Sequence, residues 1–427
     1  MPSTLKATAL TVACALTLVG CNSSPAQSSK DSTGVTDTTV TIGAHVPLTG
    51  VAAPGYSGIA PAEKAYFDYV NAHGGVHGRK IIFKYRDDAY DPAKATAVVH
   101  KLIERDHVFA IFSGLGTPTH SAVADYINAR KVPDLLVASG CSCWDQPTKL
   151  PYTFGFPTSY IREGKILGSH IKTAFPGKRI AYIYQTGQTG QDELTGLSHY
   201  VPDASVVARQ SYTPGKLDIT PQMATIFRAR PDVIVVLGIP QYLALVREAQ
   251  IKAGNHAQLV ANYPSSDPKT LAALLSHAVP GQTGNSLIQG IITDGFLPSP
   301  GASTDPWITL FTKIRNQYAP TQPLSFNLVF GMAAAYTFVQ ALQAAGPNPT
   351  RQSITDAMQN SRFTGPGLTP FGFSSNSHAG YTGVQIGTIR GDAISLQGQP
   401  LTTDEHDGPV TPYTAPAATP PASGIPG

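Results

Sequence analysis

Charge is scarce in this sequence: Asp, Glu, Lys and Arg make up only 13% of it, and the formal net charge is +3. Without a basic stripe there is no electrostatic footprint for a phosphate backbone, so nucleic-acid binding is excluded. After the first twenty residues no run of eighteen uninterrupted apolar residues occurs, and no membrane-spanning helix is expected. Cysteine is rare as well, with four in 427 residues. Two of these, Cys141 and Cys143, fall in the body of the chain without nearby His or Cys partners for a zinc set. A disulfide across one intervening residue is geometrically demanding, so free thiols, a tight redox pair and a metal site all stay open for them. Neither a Gly-x-Ser-x-Gly elbow nor a His-Glu-x-x-His helix is present. An enzyme is therefore not expected, and no cofactor or metal is predicted.

What is present begins at the amino end. Lys6 precedes an apolar run over 7–20 that is too short to span a bilayer, which reads as a signal peptide over residues 1–20. Its end, "LVGC" at 18–21, resembles the bacterial lipobox, which makes Cys21 the expected lipid-attachment residue. Acyl chains on Cys21 would hold the protein on the outer face of the cell membrane of a bacterium. The polar, small-residue stretch 21–37 reads as a flexible tether, and the Pro/Ala-rich stretch 404–427 as a disordered tail.

The body alternates strand and helix with little interruption. "VTIGAHV", "RKIIFKYRDD", "HVFAIF" and "DLLVAS" read as strands separated by amphipathic helices, and the rhythm restarts after "PYTFGFPTS" with "RIAYIY", "SVVARQSY", "DVIVVLG" and "QLVAN". Such alternation predicts an α/β fold of two doubly wound Rossmann-like lobes with mostly parallel sheets. The surplus of elements near the carboxyl end implies that the chain crosses between lobes more than once. Lobe 1 is predicted over 38–157 plus 295–347 and lobe 2 over 158–294 plus 348–403, with crossings near Pro157, Asp294 and Gly346.

"VPLTG", "VNAHGGVHGRKIIFKYRDDAYDP" and "FAIFSGLGT" together resemble the amino-terminal half of type I periplasmic binding proteins of the leucine/isoleucine/valine-binding family. The ordered series is Asn71, Gly74, Gly75, Gly78 and Arg79, then Asp87, Asp88, Asp91 and Pro92. The aspartates read as loop and helix caps, because the alternating ligands and closing glutamate of a calcium loop are absent. The resemblance implies an extracytoplasmic, monomeric solute-binding lipoprotein that captures a small polar solute by hinge closure and delivers it to ABC permease subunits. A branched-chain amino acid, an amide or a small carboxylate are the solute classes it implies. A ligand-sensing receptor subunit with the same clamshell is the alternative.

In that family the loop equivalent to "SGLGTPTHS" and the loop after the next strand clamp the ligand's α-carboxylate. Carried onto this chain, that points to Gly116, Thr117, Thr119, Ser139, Cys141 and Ser142. The stretch has neither a Walker ending nor a dinucleotide glycine pattern, which disfavours a phosphate there. The second lobe should supply Tyr160, Thr189, Gly190, Gly238 and Tyr263, with Tyr56 and Trp144 as further aromatic candidates. Tyr160 and Tyr263 stand where the family's branched-chain binders place acids for the ligand's ammonium, which weakens an amino-acid assignment.

Overall fold

The computed structural model describes residues 1–4, 31–414 and 418–427; most of the signal segment, Cys14, Cys21 and the tether up to residue 30 lie outside the described residues. Residues 1–4 are exposed and carry no regular secondary structure. In residues 31–427, strands β1 (Thr39–Val46), β2 (Lys80–Asp87), β3 (Ala110–Phe112), β4 (Asp134–Val137) and β5 (Thr153–Gly155) form a parallel sheet in the order β2-β1-β3-β4-β5. Both β3 and β4 are buried at every position, as continuous apolar strands covered on two faces should be. Register Thr39↔Lys80 through Val46↔Asp87 brings the ends of β1 and β2 level, so Asp87 and Asp88 emerge at the carboxyl edge of the sheet.

Strands β6 (Ile180–Gln185), β7 (Val206–Tyr212), β8 (Val233–Leu237), β9 (Gln258–Ala261) and β10 (Ile292–Gly295) repeat the pattern in a second parallel array, β7-β6-β8-β9-β10. A hairpin of β11 (Phe371–Ser374) and β12 (Ser377–Tyr381) follows later in the chain. Antiparallel strands β13 (Gly383–Arg390), β14 (Ala393–Leu396), β15 (Leu401–Thr402) and β16 (Thr411–Pro412) then extend the second sheet beyond β10. The expected two-lobe α/β fold is therefore present.

The helix Phe326–Ala344 is buried around its whole circumference, as an all-round apolar helix in a folded body must be. Its Phe338 ring packs 5.7 Å from Phe67 and 5.2 Å from Phe112, joining the helix Ile59–Ala72 to the first sheet. Among the described residues no helix is long and apolar enough to cross a membrane.

Three expectations about the ends and boundaries need correction. First, the chain does not pass to lobe 2 at Gly346. Arg351 donates to the Val108 and Phe109 carbonyls at 2.8 and 3.1 Å, tying the helix Arg351–Asn360 to lobe 1. The β11–β12 hairpin stays there too, with His378 Nδ1 2.8 Å from the Thr153 carbonyl, and the chain joins the second sheet only at Gly383. An amphipathic helix fits either lobe by pattern; the acceptors that a buried guanidinium needs decide between them.

Second, the tether's last residues are packed: Asp31 forms an ion pair with Arg351 at 3.0 Å, and Val35 bridges to Val40. Third, the Pro/Ala-rich tail is laid on the body. Buried Lys165 donates to the Asp404 carboxylate at 2.9 Å and to the carbonyls of Asp404, His406 and Gly408 at 3.1, 2.5 and 2.8 Å. Trp307 Nε1 donates to Ala418 O at 2.7 Å, and the Tyr66 hydroxyl to Gly424 O at 2.8 Å. Carbonyls with no helical or sheet partner of their own satisfy donors that would otherwise be buried unpaired.

Candidate functional site

In an open sheet of order 2-1-3-4-5, the loops leaving strands 1 and 3 run to opposite faces, and a crevice opens at their carboxyl ends. Both lobes have that order, so two crevices exist, at β1/β3 and at β6/β8. The structure sets them against each other across a cavity with about 540 Å³ of empty space, counting its mouth. Three chain crossings flank it, and rings from all three pack together: Phe156 to Tyr381 at 5.5 Å, Phe296 to Tyr381 at 5.0 Å and Phe156 to Phe296 at 6.2 Å.

Tyr56, Gly116, Ser139, Tyr160, Thr189, Gly238 and Tyr263 all line this one cavity. Thr117 stands one step behind, its hydroxyl 2.7 Å from that of Ser139. The remaining candidates are placed elsewhere. Thr119 turns its hydroxyl back to the Leu115 and Gly116 carbonyls at 2.5 and 3.1 Å, an N-terminal turn taking up its own side chain. Gly190 packs against the Gln185 carbonyl, seating its helix on β6. Cys141 is disulfide-bonded to Cys143, which resolves the choice left open above. The bridge lies beside Trp144, and Trp144 packs edge-on to His120 at 4.9 Å rather than entering the cavity.

Ser142 does something different. Its N–H and hydroxyl both donate to the Asp192 carboxylate, at 2.8 and 3.1 Å, and Asp192 belongs to the second lobe. The Tyr56 hydroxyl likewise crosses the cleft to donate to Pro264 O at 2.7 Å. These bonds hold the two cavity walls together.

Tyr90, Gln185, Phe326, Asn327 and Phe330 also line the cavity and were not anticipated. Gln185 was within reach of sequence reasoning, since it ends β6 at the switch point. Nothing in the local pattern at Phe326 signals a cleft, because a helix start some 200 residues away is brought there only by the crossings. Burial pushes the Tyr90 hydroxyl up to about 12 and raises those of Tyr56, Tyr160 and Tyr263, so these groups are neutral hydrogen-bonding walls.

Beneath the cavity the lobes differ. Under the loop 113–116, four side chains with no exposed surface form a chain: Asp88 Oδ2 to His45 Nδ1 at 2.7 Å, His45 Nε2 to His120 Nδ1 at 2.9 Å, and His120 Nε2 to Asp134 Oδ2 at 2.8 Å. Three such contacts need three protons, one more than two neutral imidazoles carry, so the chain holds an extra proton. Burial pushes His45 below the usual histidine range. This explains the small residues overhead: a Cβ on Gly114 would come within 2.5 Å of His120 Nδ1 and 2.7 Å of His45 Nε2. The glycine faces imidazoles, not an anion.

Under the second lobe's wall lie Glu163, Glu193 and Asp294, all fully buried. Glu163 Oε1 accepts from the Tyr263 N–H at 2.6 Å and Glu193 Oε1 from Asn262 Nδ2 at 2.9 Å. Their other carboxyl oxygens, and both of Asp294, have no N–H or hydroxyl donor, so protons held among the carboxyls are what can satisfy them. Burial pushes Glu193 up to about 8 and, with repulsion among the three acids, raises Glu163 and Asp294 well above the carboxylate range.

The family model for periplasmic binding proteins matches residues 39–393 of this chain. The Leu/Ile/Val-binding protein homolog 1 of Brucella suis biovar 1 (strain 1330) is 26% identical over 349 residues, which are 80% of this chain and 87% of that protein. Among solved structures, a fatty acid ABC transporter substrate-binding protein from Thermomonospora curvata superposes with a TM-score of 0.75 at 24% identity, covering 90% of this chain and 98% of that one. A branched chain amino acid ABC transporter from Thermus thermophilus with bound valine gives 0.74 at 18% identity, covering 87% and 98%. At such identities these structures speak to the fold.

Proposed function

The chain belongs to the periplasmic binding protein family, and from that premise we propose that it is an extracytoplasmic, lipid-anchored solute-binding protein that delivers a small solute to an ABC permease. The observation that carries this reading is the placement of one cavity between two switch points, walled from both lobes and bridged by Ser142–Asp192 and Tyr56–Pro264.

The mechanism follows from that placement. Contacts from Ser139 and Gly116 in one lobe and from Thr189, Gly238 and Tyr263 in the other exist together only when the lobes meet, so a solute that touches both sets prefers the closed form. The three adjoining crossings, after Phe156, after Gly295 and before Gly383, are the places where a rigid-body opening can be absorbed. The cysteine at 21 supplies the anchor in this reading, and the relatives' association with ABC transport supplies the permease.

The test is calorimetric titration of the full chain with a small-solute panel, paired with small-angle scattering. Saturable one-to-one binding accompanied by a smaller radius of gyration is expected. Absence of any bound or binding solute overturns the reading. For the anchor, mass spectrometry of the mature amino-terminal peptide should find a diacylglyceryl group on Cys21, and Cys21→Ser should release the protein from membranes.

A further inference from the structure

Resting on the solute-binding reading, we infer that the solute is an uncharged molecule with a flat, largely apolar body and a hydrogen-bonding group at one end, and that free amino acids and simple carboxylates are rejected. The walls come first. Tyr56, Tyr90, Phe326 and Phe330 from the first lobe and Tyr160 and Tyr263 from the second all line the cavity. Aromatic faces of this density suit a planar or apolar body.

Charge comes second. Among the described residues that line the cavity, none is Asp, Glu, Lys, Arg or His. The nearest acids of the second lobe, Glu163 and Glu193, lie behind Tyr263 with one oxygen each already accepting from Tyr263 N–H and Asn262 Nδ2. An ammonium entering the cavity would meet tyrosine rings instead of a carboxylate. A carboxylate fares no better. In the two loops expected to clamp it, the N–H groups of Leu115, Gly116, Ser139 and Cys141 donate to His45 O, Ala138 O, Val137 O and Ser139 Oγ. No cation lines the cavity to replace them, and a charge buried without a partner is strongly disfavoured.

An unpaired polar atom comes third, and it points to a ligand. Gln185 Oε1 and Asn327 Nδ2 have no hydrogen-bond partner, although the two residues are only 1% and 7% exposed. Gln185 ends β6 in one lobe; Asn327 begins the long helix of the other. The Gln185 amide nitrogen reaches its neighbours only at the outer limit, 3.5 Å to the Tyr90 hydroxyl and 3.4 Å to that of Thr189. Native interiors seldom leave such groups orphaned, so the Gln185 acceptor in this cavity marks a hydrogen-bonding end of a neutral guest, whereas Asn327 Nδ2 stands against Gly55 and Thr270 and is not assigned to that guest.

The test uses matched probes of one shape and three charges: benzamide, benzoate and benzylamine, with leucine as the amino-acid control, titrated calorimetrically into the full chain after denaturation and refolding to strip co-purified solute. Native mass spectrometry before stripping gives the formula of any solute carried through purification. The expected result is that benzamide binds about 100-fold or more tightly than benzoate or benzylamine, and that a co-purified solute is neutral. Gln185→Leu should weaken benzamide binding by about 10-fold while leaving the unliganded melting temperature unchanged or raised. Benzoate, benzylamine or leucine binding as tightly as benzamide, or a zwitterionic co-purified solute, overturns the inference and leaves the solute-binding reading intact. If no probe binds and no solute co-purifies, both fall.

Discussion

The two lobes share a strand order and differ in what they bury. Beneath the first lobe's switch point, two histidines are bracketed by two acids, Asp88–His45–His120–Asp134, with each ring nitrogen matched and Thr153 adding a hydroxyl to Asp134 Oδ2 at 2.8 Å. Beneath the second lie three acids and no base, Glu163, Glu193 and Asp294, several of whose oxygens lack a donor. The first interior sets acids against histidines, although Glu63 is also buried there with both oxygens unpartnered and pushed up to about 8; the second holds only acids, compatible with burial while protonated. A common topology therefore fixes where a crevice lies without fixing the chemistry beneath it.

The largest expected effect is in the first lobe. Asp134→Ala leaves His120 Nε2 and the Thr153 hydroxyl without their acceptor, and we expect a loss of about 3–5 kcal/mol in urea unfolding. A loss below about 1 kcal/mol would mean that the four groups do not act as a unit.

The second lobe should respond to pH in a defined direction. Glu193 is raised from an ordinary glutamate value of 4.5 to about 8 on folding, so the folded chain holds more protons than the unfolded chain between those values. Its contribution is fully present below about 4.5 and is lost as pH rises through about 8; Glu163 and Asp294, also raised, act in the same sense. The free energy of urea unfolding should therefore fall from pH 5 to pH 8, and Glu193→Gln, which keeps an acceptor for Asn262, should reduce that fall by about 2–3 kcal/mol. An unchanged slope in the variant would remove the contrast between the lobes.

Contacts between the lobes should matter less to stability than to closure. Asp192→Ala removes the acceptor for the Ser142 N–H and hydroxyl, and a weakening of solute binding by about 1–2 kcal/mol is expected, with unliganded stability nearly unchanged. Scattering should show a larger population of open molecules. The smallest effect is expected at Thr117→Val, which takes one hydroxyl from Ser139 and should lower affinity by about 0.5–1 kcal/mol.

Local signals in the sequence carried far for the elements. The apolar spacing after Tyr160 and after Phe326 predicts helices that the structure places at Tyr160–Ala174 and Phe326–Ala344. Asp91 before Pro92 reads as a helix start, and its carboxylate does accept from the Ala93 and Lys94 N–H groups at 2.8 and 3.0 Å. The amphipathic stretch over 121–130 suggests one helix, but the structure has two short ones, Thr117–Ser121 and Ala124–Ala129, with the backbone leaving helical geometry at Val123. Residues at strand ends were within reach for a related reason: alternation locates the carboxyl edges, from which Thr189 and Gly238 follow, while Ser139 was carried over from the family resemblance.

By itself, then, the sequence determined the alternation of strands and helices, the two-lobe class and the edges from which a cleft must be built, because periodicity and capping are local and survive without tertiary context. Only the tertiary structure decided that the helix Arg351–Asn360 stays with lobe 1, that Lys165 gathers the Pro/Ala-rich tail, and that His45, Asp88, His120 and Asp134 meet beneath Gly114. Each of those depends on a buried donor or acceptor finding a partner far along the chain, and hydrogen-bond satisfaction at such distances leaves no mark on local pattern.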